Sequence, residues 1–222
     1  MLPPSHVSRT AEDIVNEKLY FDSAGYLFRA MSWLDYFDRN KQFTALLYAC
    51  IEARYGIEYL LFEEIVISTG ANLSKEEYER CLKDSTKLHK ALKRITPDYE
   101  KLQEFAKIIV SLVPGFPKII QWNPNSLLKS WGTISNYLHW CGSRNNTTES
   151  QGWLMKASTN IRAEIEPIWV TISSGHSAIM HPKDMHPEIL DLWIQYRDGA
   201  VDAEGIKIRM QILKPLLESR YA

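Results

Sequence analysis

Cysteine is scarce in this chain: Cys50, Cys81 and Cys141 are the only three in 222 residues, and none stands in a CxxC pair. That excludes a disulfide framework and a zinc ribbon and points to a reducing compartment. Long apolar runs are missing too, because no window of about 18 residues is free of charged and polar groups, as a membrane-spanning helix requires. An excess of either charge is absent, with 26 basic residues against 27 acidic ones. The chain as a whole therefore advertises no polyanionic or membrane-surface partner, and a nucleic-acid contact would have to come from a local patch. No internal repeat or low-complexity tract occurs. GxGxxG, P-loop, GxSxG and HExxH patterns are all lacking, so nothing in the sequence asks for a nucleotide cofactor or a catalytic zinc. His176, His181 and His186, with Met180 and Met185 between them, recur every five residues; that spacing shares no helix face and matches no usual ligand pattern, so they read as loop residues rather than metal ligands. The opening "MLPPSHVSRTAED" has no apolar stretch, and the expectation is a soluble, cytoplasmic protein for which the N-x-T matches at Asn145 and Asn146 carry no weight.

What the chain does have is helical periodicity. At 45% hydrophobic and seven tryptophans, its length is sufficient to bury a large core. The apolar spacing predicts helices over about 11–38, 42–67 and 74–95, the third opened by a Ser74/Glu77 capping box. A fourth starts at Thr96 and Pro97, and a fifth at Asn123 and Pro124. Thr148 and Gln151 form another capping box for a helix that Pro167 should kink or end. "IWVTIS", residues 168–173, is β-branched, but one strand makes no sheet, so it reads as helix continuation. Two shorter helices follow over about 188–196 and 202–213. The fold class is all-α: an antiparallel helical bundle over about 11–178 with a C-terminal helical extension over about 186–222, in a single domain.

Three sets of residues point to chemistry. In the second helix a step of 100° per residue gathers Phe43, Leu47, Cys50, Ile57, Leu61 and Ile65 on one face, and Arg54 lands among them with Glu58 one turn on. Opposite charges on a core face imply a mutually neutralising structural pair, or an arginine held by Glu58 for phosphate. Glu52, Tyr59 and Glu63 fall on the other, solvated side. In the third helix Lys83, Lys87, Lys90 and Arg94 form a narrow basic stripe that would neutralise successive phosphates of a nucleic acid or serve as a solvated face. In the fifth, Gly132, Ser135 and His139 line a small-residue flank, which predicts a half-buried His139 bonded to Ser135 or a backbone carbonyl at a helix seam, with Arg144 just beyond in the loop.

The pairing of a long "LLYACIEARYGIEYLLFEE" helix with a later "WGTISNYLHW" helix resembles the HEPN superfamily, α-helical proteins of bacterial defence and RNA processing, over about residues 41–140. Active members cut RNA as dimers, without a metal, using an arginine separated by four to six residues from a later histidine. Here the positions that would supply that arginine for His139 hold Gly132, Thr133 and Ile134. The resemblance therefore implies a non-catalytic binding or assembly module in defence or stress response, forming a homodimer or holding a protein partner, with RNA as a candidate ligand. The alternatives are a metal-independent ribonuclease centred on His139 with Arg54 or Arg144, and a helical adaptor that touches no nucleic acid.

Overall fold

The computed structural model describes residues 22–69, 73–83, 88–112, 120–139, 150–174 and 182–221. Among them nine α-helices follow in order: α1 Ser23–Asn40, α2 Phe43–Ser68, α3 Lys75–Lys83, α4 Leu88–Ile95, α5 Tyr99–Ser111, α6 Pro124–Leu138, α7 Gln151–Ser173, α8 Pro187–Arg197 and α9 Ala203–Tyr221, with a 3₁₀ turn at Pro182–Asp184. The protein is all-α. No helix of the described residues is long and apolar enough to cross a membrane.

Capping chemistry explains most boundaries and corrects several expected ones. The first helix does not run through from residue 11: Asp22 is extended and its carboxylate accepts from the Gly25 N–H at 2.6 Å, so α1 begins at Ser23. It ends where Lys41 turns left-handed at φ 54°, donating its N–H to the Phe37 carbonyl. The Ser74 hydroxyl accepts from the Glu77 N–H as expected, but the 74–95 segment is described as two helices, α3 and α4. α5 starts after Asp98 rather than at Thr96 and Pro97, because the Thr96 hydroxyl donates back to the Leu92 carbonyl and closes α4 instead. Asn123 caps α6, accepting from the N–H groups of Asn125 and Ser126 with Pro124 next in line. For α7 the cap is Ser150, which accepts from Trp153 N–H; Thr148 lies outside the described residues.

α7 runs straight through Pro167 to Ser173, so "IWVTIS" is helix. Pro167 has no N–H for the Ala163 carbonyl, but both residues are exposed, which leaves that oxygen open to solvent. α9 likewise continues through Pro215, past the expected end at 213.

By its contacts the chain divides into two compact units, one comprising Met1–Glu63 and Trp122–Gly175, the other Glu64–Gln121 and His176–Ala222. In the first, α1 packs on α7 and α6 on α7. Phe28 meets Trp169 with ring centroids 5.8 Å apart, and Arg162 of α7 reaches Asp35 and Asp38 of α1. α1 and α2 approach closely at Gly56, where a Cβ would come within 2.8 Å of the Leu27 Cγ. In the second unit α5, α8 and α9 enclose a core of Leu102, Phe105, Ile109, Met185, Ile189, Leu192, Trp193, Ile206 and Met210. At its edge the Tyr99 hydroxyl donates to the buried Glu64 carboxylate at 2.5 Å and accepts from the Gln103 amide at 2.6 Å. Burial, with the Glu64 charge beside it, holds the Tyr99 phenol far above its usual range.

Candidate functional site

The candidate surface is built on α2, whose two faces are both apolar. One face is core: Leu46, Ala49, Cys50, Ala53, Ile57, Leu60, Leu61 and Ile65 are all buried. Burial pushes the Cys50 thiol up to about 12, which makes it a packing residue and not a nucleophile. The other face carries large side chains into solvent: Tyr48 is 45% exposed, Ile51 38%, Tyr55 47% and Tyr59 37%. Positions 48, 51, 55 and 59 recur at three- and four-residue steps and so form one stripe along the helix.

α1 extends this stripe with further aromatic rings. Tyr26 lies 5.6 Å from Tyr55 and 5.1 Å from Tyr59, and Trp33 lies 4.9 Å from Tyr48 and 5.8 Å from Tyr36, measured between centroids. Burial raises the Tyr26 phenol above its ordinary value, with Tyr59 beside it adding to the shift. The sequence had placed Glu52, Tyr59 and Glu63 on a solvated side, and only Tyr59 is exposed. Glu52 accepts from Arg29 Nε at 2.9 Å, and Glu63 accepts from both the N–H and the hydroxyl of Ser23, tying α2 to the start of α1. Both carboxyls lie above their ordinary value because burial outweighs these hydrogen bonds.

On the opposite flank of the stripe stands the Arg54–Glu58 pair. Arg54 Nε donates to Glu58 Oε1 at 3.1 Å, the Trp131 indole N–H from α6 donates to the same oxygen at 2.8 Å, and the Arg54 guanidinium lies 4.7 Å over the Trp131 ring. Neither charge is in the core: the Arg54 side chain is 35% exposed and that of Glu58 15%. The wheel put Arg54 on the buried face, but its length lets the charged head reach past the core edge to the Trp131 face. A matching device sits on the other flank, where Arg29, bonded to Glu52, lies 4.4 Å over Tyr26. The tyrosine stripe is thus bordered by two arginines, each stacked on an aromatic ring and each neutralised by a glutamate.

The remaining candidates are not drawn together. His139 is the C-cap of α6 with extended backbone (φ −82°, ψ 137°), and it is exposed rather than half-buried at a seam. The expected Ser135 bond to it is not made, since the Ser135 hydroxyl is buried with no partner. The helix ends one residue too early for His139 to turn inward over Ser135. At 1.5 Å per residue His139 stands about 12 Å along the axis from Trp131, where Arg54 stacks. Arg144 lies outside the described residues. Of the basic stripe, Lys90 and Arg94 are exposed, Lys83 ends α3, and Lys87 lies outside the described residues. Arg94 is not open to phosphate: it clasps Glu77 through both terminal nitrogens at 2.7 and 2.5 Å, holding that carboxyl below its usual value. His176 and His181 lie outside the described residues, and among the described ones no three His, Cys, Asp or Glu gather as a metal-holding set.

Sequence reasoning missed the tyrosine stripe because it sought one apolar face on α2, although the spacing of Tyr48, Ile51, Tyr55 and Tyr59 was there to be counted. The fold and this surface define a class, an all-α protein with an exposed aromatic face. Comparisons with known protein families, with characterised proteins and with solved structures find no match.

Proposed function

We propose that the protein is a non-catalytic assembly module that pairs with a second copy of itself through the tyrosine stripe of α2. The observation that carries this reading is the second apolar face of that helix. A helix apolar all round is ordinarily buried all round, whereas here Tyr48, Ile51, Tyr55 and Tyr59 face solvent. Tyrosine, tryptophan and arginine are the side chains enriched at interface centres, and with Ile51 they make up the patch and its borders.

The stripe is also self-complementary. Ile51 and Tyr59 lie four residues to either side of Tyr55, and Tyr48 and Phe62 seven. A two-fold axis through Tyr55 would set two α2 helices antiparallel with matching knobs and holes, as an isologous interface requires. Charge favours protein over nucleic acid at this face, because Glu52 and Glu58 cancel Arg29 and Arg54 and leave no surplus to attract phosphates. The stripe lies on the helix that carries the HEPN resemblance, a superfamily in which helical bundles pair, and by that likeness the setting is bacterial defence or stress response. Sedimentation over a concentration series tests the reading. The wild type is expected at twice the chain mass of 25.7 kDa, and Tyr55→Asp, which leaves the core untouched, at the single-chain mass. A wild type that stays monomeric at all concentrations overturns it.

A further inference from the structure

We infer that Arg54 is a receptor for a carboxylate, presented by an acidic peptide segment lying along the edge between α2 and α6. The inference does not rest on self-pairing and is carried by the geometry of one guanidinium. Glu58 fixes its Nε and Trp131 fixes its plane, so the rotamer freedom that an arginine ordinarily loses on binding is already gone. Among the described residues its two terminal nitrogens find no hydrogen-bond partner.

Other arginines are committed differently. Arg94 uses both terminal nitrogens on Glu77, Arg162 divides one between Asp35 and Asp38, and Arg197 lies along Asp198. Arg39 is exposed, but nothing orients it. Arg29 resembles Arg54 in its stacking and its carboxylate, yet its side chain is much the less exposed of the two. Arg54 alone of these combines a fixed plane, two free parallel N–H groups and access. The Arg54 side chain is 35% exposed, and at the neighbouring Gly132 of α6 a Cβ would meet nothing within 4 Å among the described residues.

The neighbouring Glu58 charge selects the ligand. Two parallel N–H donors fit the two oxygens of a planar monoanion, whereas a phosphate dianion would meet more repulsion from Glu58 than one guanidinium offsets.

The test follows the Trp131 indole N–H resonance, assigned with Trp131→Phe, while a capped peptide carrying a single glutamate, or inorganic phosphate as the dianion at about pH 8, is added at matched ionic strength. The peptide is expected to shift it saturably and phosphate is not. Arg54→Lys keeps the charge but loses the fork, and should weaken peptide binding about tenfold, the worth of one charge-assisted hydrogen bond. Glu58→Gln keeps the acceptor for Nε while removing the repulsion, and should tighten binding; a purely structural pair predicts no such gain. Arg39→Ala should change nothing. An unmoved resonance, an equal response to phosphate, or a response kept in full by Arg54→Lys overturns the inference.

Discussion

Two helical glycines make opposite predictions from the same substitution. Gly56 lies inside α2 and Gly132 inside α6, and replacing either by alanine removes the entropic penalty of glycine in a helix, a gain of about 1 kcal/mol. At Gly132 that is all that happens, because the added methyl meets nothing within 4 Å. At Gly56 the methyl comes within 2.8 Å of the Leu27 Cγ and 3.3 Å of the Leu27 backbone nitrogen. Leu27 is fully buried and its branch point is fixed by its own helix, so relief requires α1 and α2 to move apart. Overpacking of this kind costs about 1–3 kcal/mol, which exceeds the helical gain and leaves Gly56→Ala destabilised by about 1 kcal/mol. For a chain of this size that corresponds to a fall in melting temperature of about 2–4 °C, against a rise of similar size for Gly132→Ala. Thermal unfolding followed by circular dichroism reads both. Shifts of the same sign, or a Gly56→Ala protein as stable as Gly132→Ala, would refute the close α1–α2 approach on which the stripe's geometry depends.

Further substitutions probe the polar contacts. Glu58→Ala strips the acceptor from both Arg54 Nε and the Trp131 indole, but water reaches Arg54, so denaturant unfolding should show a loss of about 1–2 kcal/mol rather than the 3–5 of a fully buried pair; a loss of 4 or more would put the charges in the core. Tyr99→Phe removes the hydroxyl that serves the buried Glu64 carboxylate, with an expected cost of about 1–3 kcal/mol, and an unchanged midpoint would count against that network. Glu63 carries a pH signature. Its folded value lies above its ordinary one near 4.5, so its contribution is fully present below that pH and lost as pH rises through the raised value. The stability of the wild type relative to Glu63→Gln should therefore decline as pH rises above about 4.5, and a difference that grows with pH contradicts the burial.

How far the sequence spoke depended on how local the cause was. Asn123, Ser74 and the i, i+4 spacing of Arg54 and Glu58 act within one turn, and the cap contacts and the pair are present as written. The break at Asp22 was equally local, a D-S-A-G cap hidden inside an apolar pattern that continues upstream. What no local pattern carries is the choice of partner face. Arg54 falls on the apolar side of the wheel, and only Trp131, 77 residues later, draws its head out to the edge. His139 shared a flank with Ser135 on an ideal helix, but the backbone leaves helical geometry at His139 itself. The gathering of 64–121 with 176–222 in one unit is likewise set by packing across long stretches of chain, not by any spacing.

The central claim is that α2 meets α2 of a second copy about Tyr55. A single cysteine at the axis tests it most directly, since only there does a residue face its own counterpart. Under mild oxidation Tyr55→Cys should give a disulfide-linked dimer in high yield, while Val170→Cys, exposed on α7 away from the stripe, should not. Cross-linking of Val170→Cys as readily as Tyr55→Cys, or none at Tyr55→Cys, would contradict the account.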